Sequence, residues 1–159
     1  MSTIARITSI VPRLPPAVDG LGDYGLSLAR QLRTDFGLVT DFVVGEPNWA
    51  GVAKIEDFEV KQVAARSPAA LLELLPRQPK ATVLLHYVGY GYARRGCPVW
   101  LVEGLERWRQ GGSNRRLVTM FHEVYAYNPR IWTSQFWTSG LQKKFGGTAG
   151  EVERALLDQ

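Results

Sequence analysis

At 159 residues the chain has room for one domain and one sizeable core, and its 45% hydrophobic content excludes a chain that stays disordered. A net charge of +4, spread over scattered arginines and lysines without a long basic run or a zinc-ligand pattern, argues against a nucleic-acid module. One cysteine, Cys97, allows no internal disulfide and fits a reducing cytoplasm; Met1 to Ile4 lacks the form of a signal peptide, and no apolar run approaches a membrane span, which leaves only peripheral membrane contact open.

Residues 4–11 are apolar and partly β-branched, and predict a buried strand that Pro12 stops. Residues 19–25 form a glycine-rich turn. The helix that follows carries Leu21, Tyr24, Gly25, Leu28, Ala29 and Leu32 on one face. Residues 38–44 give a second strand and residues 58–63 alternate as a third. Ser67-Pro68 predicts an N-cap followed by proline at the first helical position, and Pro76 ends that helix. Residues 82–86 predict a short buried strand. A helix opens at Pro98, with Leu101, Leu105 and Trp108 inward, and closes at Gly111-Gly112. Residues 117–121 predict the next strand. Further helices are expected over 134–144 and after Thr148, which has capping-box spacing to Glu151. Strands alternating with helices predict a single α/β, Rossmann-like domain: a mostly parallel sheet with helices on both faces.

In such a sheet, ligands bind outside the carboxyl ends of the strands. That edge collects the glycine loop, Glu46, the segment His86-Tyr87 with Gly89-Tyr90-Gly91-Tyr92, and His122-Glu123. Both histidines of the chain therefore fall on it. Gly20-Leu21-Gly22-Asp23-Tyr24-Gly25 matches G-x-G-x-x-G, whose backbone N–H groups suit an anion; loop glycines serve equally as turn-formers. Glu46 lies 21 residues past Gly25, the spacing of a ribose-binding acid. Against a dinucleotide site stands the lead-in of eight residues, Pro12 to Asp19, where the fingerprint has the first glycine directly after the strand. A lead-in of that length suits a segment closing over a substrate from one side.

His122 can hydrogen-bond a hydroxyl near neutral pH, and Glu123 can orient it or bind a sugar hydroxyl. His86 ends an apolar strand and reads better as a hydrogen-bonded core residue. Tyr87, Tyr90, Tyr92, Tyr125 and Tyr127 offer aromatic faces and phenols for sugars or bases, or pack their loops. Trp132, Phe136 and Trp137 suit packing or docking, and Arg94 and Arg95 a solvated surface pair.

With these residues in view, the chain resembles the N-terminal domain of GT-B-fold glycosyltransferases of the retaining kind grouped as family four. Three segments carry the resemblance in order. The first is the opening strand with Gly20-Leu21-Gly22-Asp23-Tyr24-Gly25-Leu26-Ser27-Leu28-Ala29-Arg30-Gln31-Leu32, similar to the family's G-G-x-G-x-x-x-x-x-L-A-x-x-L. The second is the strand end at His86 and Tyr87. The third is Phe121-His122-Glu123, similar to the family's His-Glu pair. The resemblance implies a hexosyltransferase-class domain that binds a sugar acceptor. His122 and Glu123 would act at the reacting sugar, and Gly20, Gly22, Asp23, Tyr24, Tyr87 and Tyr90 would line the cleft. It implies no cofactor and no metal, with a nucleotide sugar as donor substrate. In that family a second Rossmann-like domain holds the donor. The sequence ends at Gln159 without it, so a truncated enzyme, or a donor domain on a separate chain, is the expectation, with little transfer by this chain alone. Two other expectations stand beside it: a small NAD- or nucleotide-binding protein using the glycine loop and Glu46, and a non-catalytic interaction domain docking through Trp132, Phe136 and Trp137.

Overall fold

The computed structural model describes residues 5–123. Period-two alternation along each strand decides which side chains enter which of two cores. The strands are β1 (Arg6–Val11), β2 (Val39–Val44), β3 (Lys54–Ile55), β4 (Phe58–Gln62), β5 (Lys80–Tyr87) and β6 (Asn114–Phe121). The helices are α1 (Gly20–Phe36), α2 (Pro68–Leu74), α3 (Gly89–Tyr92) and α4 (Val99–Gln110).

The strands form one six-stranded sheet in the order β3-β4-β2-β1-β5-β6. All neighbours pair in parallel except β3, which runs antiparallel to β4. The chain builds outward from β1 through β2 and β4, then returns to the other side of β1 as β5. The strand order therefore reverses between β1 and β5, and their carboxyl ends flank the crevice where doubly wound sheets bind ligands. This is the α/β, Rossmann-like architecture that the alternating pattern predicts.

On one face, Ile10, Val43, Val83 and Leu85 pack against Leu71 and Leu75 near α2 and against Leu101, Leu105 and Trp108 of α4. On the other, Val11, Phe42, Val44 and Val60 pack against Leu26 and Ala29 of α1. Each fully buried large apolar side chain contributes about 1.5–3 kcal/mol. Ser67 caps α2 as its sequence predicts, its hydroxyl accepting from Ala70 N at 3.2 Å, with Pro68 in the first turn.

Three details differ from the sequence expectation. First, α1 buries Gly22, Gly25, Leu26 and Ala29, while Leu21, Leu28 and Leu32 are only half-buried and Tyr24 is 45% exposed. Small residues select the inward face because they let the helix approach the sheet. A Cβ on Gly25 would lie 3.1 Å from a Val11 methyl carbon. Second, the lead-in after β1 is packed down. Leu14 is fully buried, its carbonyl accepts the Trp49 indole N–H at 2.7 Å, and a Cβ on Gly22 would stand 2.3 Å from the Arg13 carbonyl oxygen. Third, the glycine-tyrosine stretch after β5 is a helical turn, α3. Tyr92 on it is fully buried, its hydroxyl 2.7 Å from the His86 carbonyl and 3.2 Å from that of Ile10. The phenol thus ties β5 to β1 at the switch point.

No helix among the described residues is long and apolar enough to cross a membrane. The expected helices over 134–144 and after Thr148 lie outside the described residues, as do Tyr125, Tyr127, Trp132, Phe136 and Trp137.

Candidate functional site

The site grows from strand geometry. β5 and β6 pair in parallel with His86 opposite Met120 and Tyr87 opposite Phe121. Side chains alternate faces, so His86 points to the α1 side and Tyr87 to the α4 side. Two residues beyond Met120 the chain returns to the α1 side, at His122. The His122 N–H bonds the Tyr87 carbonyl at 3.0 Å, which extends the ladder one step and fixes the histidine backbone.

The two imidazoles meet: His86 Nδ1 lies 3.2 Å from His122 Nε2. Tyr24, from the first turns of α1, stands edge-on to both, its ring centroid 5.8 Å from that of His86 and 5.2 Å from that of His122. Three sequence segments far apart along the chain thus converge at one point of the carboxyl edge. His86 is fully buried, His122 half-buried, and Tyr24 half-exposed.

Burial sets the electrostatics. It pushes His86 down from the usual 6.5 to about 4, with the neighbouring His122 charge adding to the effect. Burial lowers His122 as well. Both rings are therefore neutral at pH 7, and act as hydrogen-bonding groups rather than as cations.

The glycine-rich segment serves packing at two of its glycines. Gly22 admits the backbone of the lead-in and Gly25 admits the sheet, while a Cβ on Gly20 would meet nothing within 4 Å. The Leu21 and Gly22 donors at the start of α1 are already engaged. The Asp19 carboxylate caps the helix, accepting from Leu21 N at 2.9 Å and Gly22 N at 3.4 Å. An anion arriving there meets a charge of its own sign. Asp23 is exposed in the first turn, where an acid suits the helix dipole.

Glu46 follows β2, as expected, and both of its oxygens are in use: one accepts from Asn48 N at 3.1 Å, the other from Arg66 at 2.7 Å. The loop it begins is clamped by Gln62, whose amide nitrogen lies 2.7–3.0 Å from the carbonyls of Glu46, Pro47 and Trp49. This loop and the lead-in enclose an open cavity of about 540 Å³, lined by Arg13, Pro16, Ala17, Glu46, Asn48, Trp49 and Ala50. Neither histidine lines it.

The side chains of Tyr87 and Tyr90 are placed apart from the histidine pair. Tyr87 is buried on the opposite face, edge-on to Phe121 with centroids 5.5 Å apart. Tyr90 is 41% exposed on α3 and packs beside Gly96. Glu123 is exposed just past His122, and Arg94 and Arg95 are exposed as well. Among the described residues, no group of three or more His, Cys, Asp or Glu side chains is placed to hold a metal ion.

Sequence reasoning weighed His86 as a core residue and missed its contact with His122. The signal was present: two histidines at the carboxyl ends of two strands, each on the α1 side by the period-two rule. Tyr92 was expected on this edge to face a ligand or pack its loop, but nothing local signalled its bond to Ile10, 82 residues away, nor the bonds of Gln62 to carbonyls 13–16 residues away. No protein-family model, no curated protein and no solved structure matches the chain.

Proposed function

We propose that this domain forms the acceptor side of a glycosyl-transfer cleft, in the manner of the family-four-like retaining glycosyltransferases its sequence resembles. One observation carries the proposal. The three segments of the resemblance, through Tyr24, His86 and His122, meet at the carboxyl edge of the sheet beside the strand-order reversal. In this role Tyr24 offers an aromatic face to a sugar ring, and His122 offers a neutral imidazole to a sugar hydroxyl. Glu123, exposed beside His122, is within the same stretch of backbone and supports hydroxyl binding. The nucleotide sugar belongs to a second domain in such enzymes, whether on this polypeptide or another, so the donor side is supplied from outside residues 5–123.

The competing dinucleotide role is less well served. It needs Glu46 for a ribose and the α1 N-terminus for a pyrophosphate, and those groups already hold Arg66, Asn48 and Asp19. Isothermal calorimetry on the full chain separates the two. The proposal predicts binding of a mono- or disaccharide acceptor that weakens on His122→Ala and survives Glu46→Ala. Tight NAD or NADP binding lost on Glu46→Ala would replace it with the dinucleotide role.

A further inference from the structure

We propose that His86 is a positioning residue that holds His122 in its Nδ1–H tautomer, so that His122 meets its ligand as a hydrogen-bond donor. The inference about role rests on the glycosyl-transfer proposal; the inference about the proton rests on geometry alone.

The ring centroids are 5.4 Å apart and the planes 25° from parallel, while the facing nitrogens are 3.2 Å apart. That is the separation of two rings whose nitrogens point at each other, not of two rings lying face to face. Between two neutral imidazoles only one proton can occupy this bond. Two arrangements are available. If His86 Nδ1 carries the proton, it donates to His122 Nε2, and the other nitrogen of His86 is a bare lone pair. If His122 Nε2 carries it, His86 must hold its own proton on Nε2.

The surroundings of His86 Nε2 decide between them. That atom is buried and has no hydrogen-bond partner among the described residues. It faces the backbone of α1, where a Cβ on Gly25 would come to 3.8 Å from it. A buried N–H with no acceptor is among the rarest defects in folded proteins and costs about 1–3 kcal/mol, whereas an under-used acceptor is tolerated more often. The proton therefore sits on His86 Nδ1, and His122 accepts it through Nε2. His122 keeps its own proton on Nδ1.

The arrangement is fixed before any ligand arrives. The Tyr92 hydroxyl holds the His86 carbonyl at 2.7 Å, the His122 N–H holds the Tyr87 carbonyl at 3.0 Å, and Tyr24 stands edge-on to both rings. Such support is what keeps a functional side chain in one geometry. With Nε2 occupied, the nitrogen left for a ligand is Nδ1–H. It can donate to an oxygen lone pair of a sugar hydroxyl and has no lone pair there with which to take a proton. His122 is thereby assigned to holding substrate and not to general-base chemistry.

The test is long-range imidazole ¹H–¹⁵N correlation on the full chain at pH 7.5, where its only two histidines give two ring systems. Both should show protonated Nδ1 and unprotonated Nε2. His86→Asn keeps a donor near the Nδ1 position and should leave His122 in that form, while His86→Leu should move the His122 proton to Nε2. Acceptor affinity should fall about tenfold in His86→Leu and recover in His86→Asn. A wild-type His122 protonated at Nε2 overturns the proposal, and that spectrum decides even where His86→Leu fails to fold. A tautomer as expected without saccharide binding would instead overturn the glycosyl-transfer role alone.

Discussion

Acidifying this protein should unload a specific amount of stability through His86. In the unfolded chain this imidazole has its usual value of 6.5; in the fold, burial and the adjacent His122 bring it to about 4. Between those values the unfolded state binds more protons than the native state, so stability falls as pH drops through the window and is fully present above it. The difference of about 2.5 pH units amounts to roughly 3 kcal/mol, with about 2 kcal/mol already lost by pH 5. Urea denaturation at pH 7 and pH 5 measures this while staying above the range where carboxylates titrate. His122, also lowered by burial, adds a loss in the same direction. His86→Asn removes the His86 part and keeps that of His122. Wild type should therefore lose about 2 kcal/mol more than the variant between the two pH values. Equal losses in the two proteins would show that His86 is not buried as a neutral ring.

The glycines of the α1 start should respond unequally. Gly22→Ala drives a Cβ to 2.3 Å from a backbone oxygen and should cost about 1–3 kcal/mol in urea denaturation, whereas Gly20→Ala, with nothing within 4 Å, should be neutral or slightly stabilising. Equal effects would show that packing is not what Gly22 serves. Tyr92→Phe strips the hydroxyl from two buried carbonyls and should cost about 1–3 kcal/mol, read from the shift in urea midpoint at unchanged slope. Trp49→Phe removes the 2.7 Å bond to the Leu14 carbonyl; a loss of about 1 kcal/mol, with faster hydrogen exchange in the lead-in, is the expected result.

The fold was legible where side-chain pattern and backbone pairing agree. The apolar runs of β1, β2 and β5 are buried on both faces and stand out from their flanks. Their full extent was less so: Lys80 pairs with Asn114 at the start of β5 and β6, and a ladder can run through polar residues that a hydrophobicity pattern excludes. The two-residue strand β3 was not legible. It pairs with β4 across Glu56 and Asp57, both at positive φ, and a glutamate there is no ordinary turn signal. Glu56 is instead held from outside the hairpin by the Arg30 guanidinium at 2.6 Å.

The site was legible as an edge and not as a contact. Topology alone sends both histidines to the carboxyl side, which the alternation of strands and helices foretold. That their rings would touch depends on the parallel register of β5 with β6, a choice made between segments 36 residues apart. The glycine-rich segment shows the opposite case. Its pattern suggested an anion cradle, while in three dimensions Asp19 fills the donor positions and two glycines serve close packing.

The proposed acceptor wall is made of Tyr24 and His122, with the fully buried His86 bonded to His122. Aromatic ¹H–¹³C spectra of the full chain, recorded during titration with a panel of mono- and disaccharides and with NAD, test it most directly. Saturable movement of the Tyr24 and His122 ring resonances is expected with at least one saccharide, and none with NAD. Rings that no saccharide moves, or that NAD moves saturably, would contradict it.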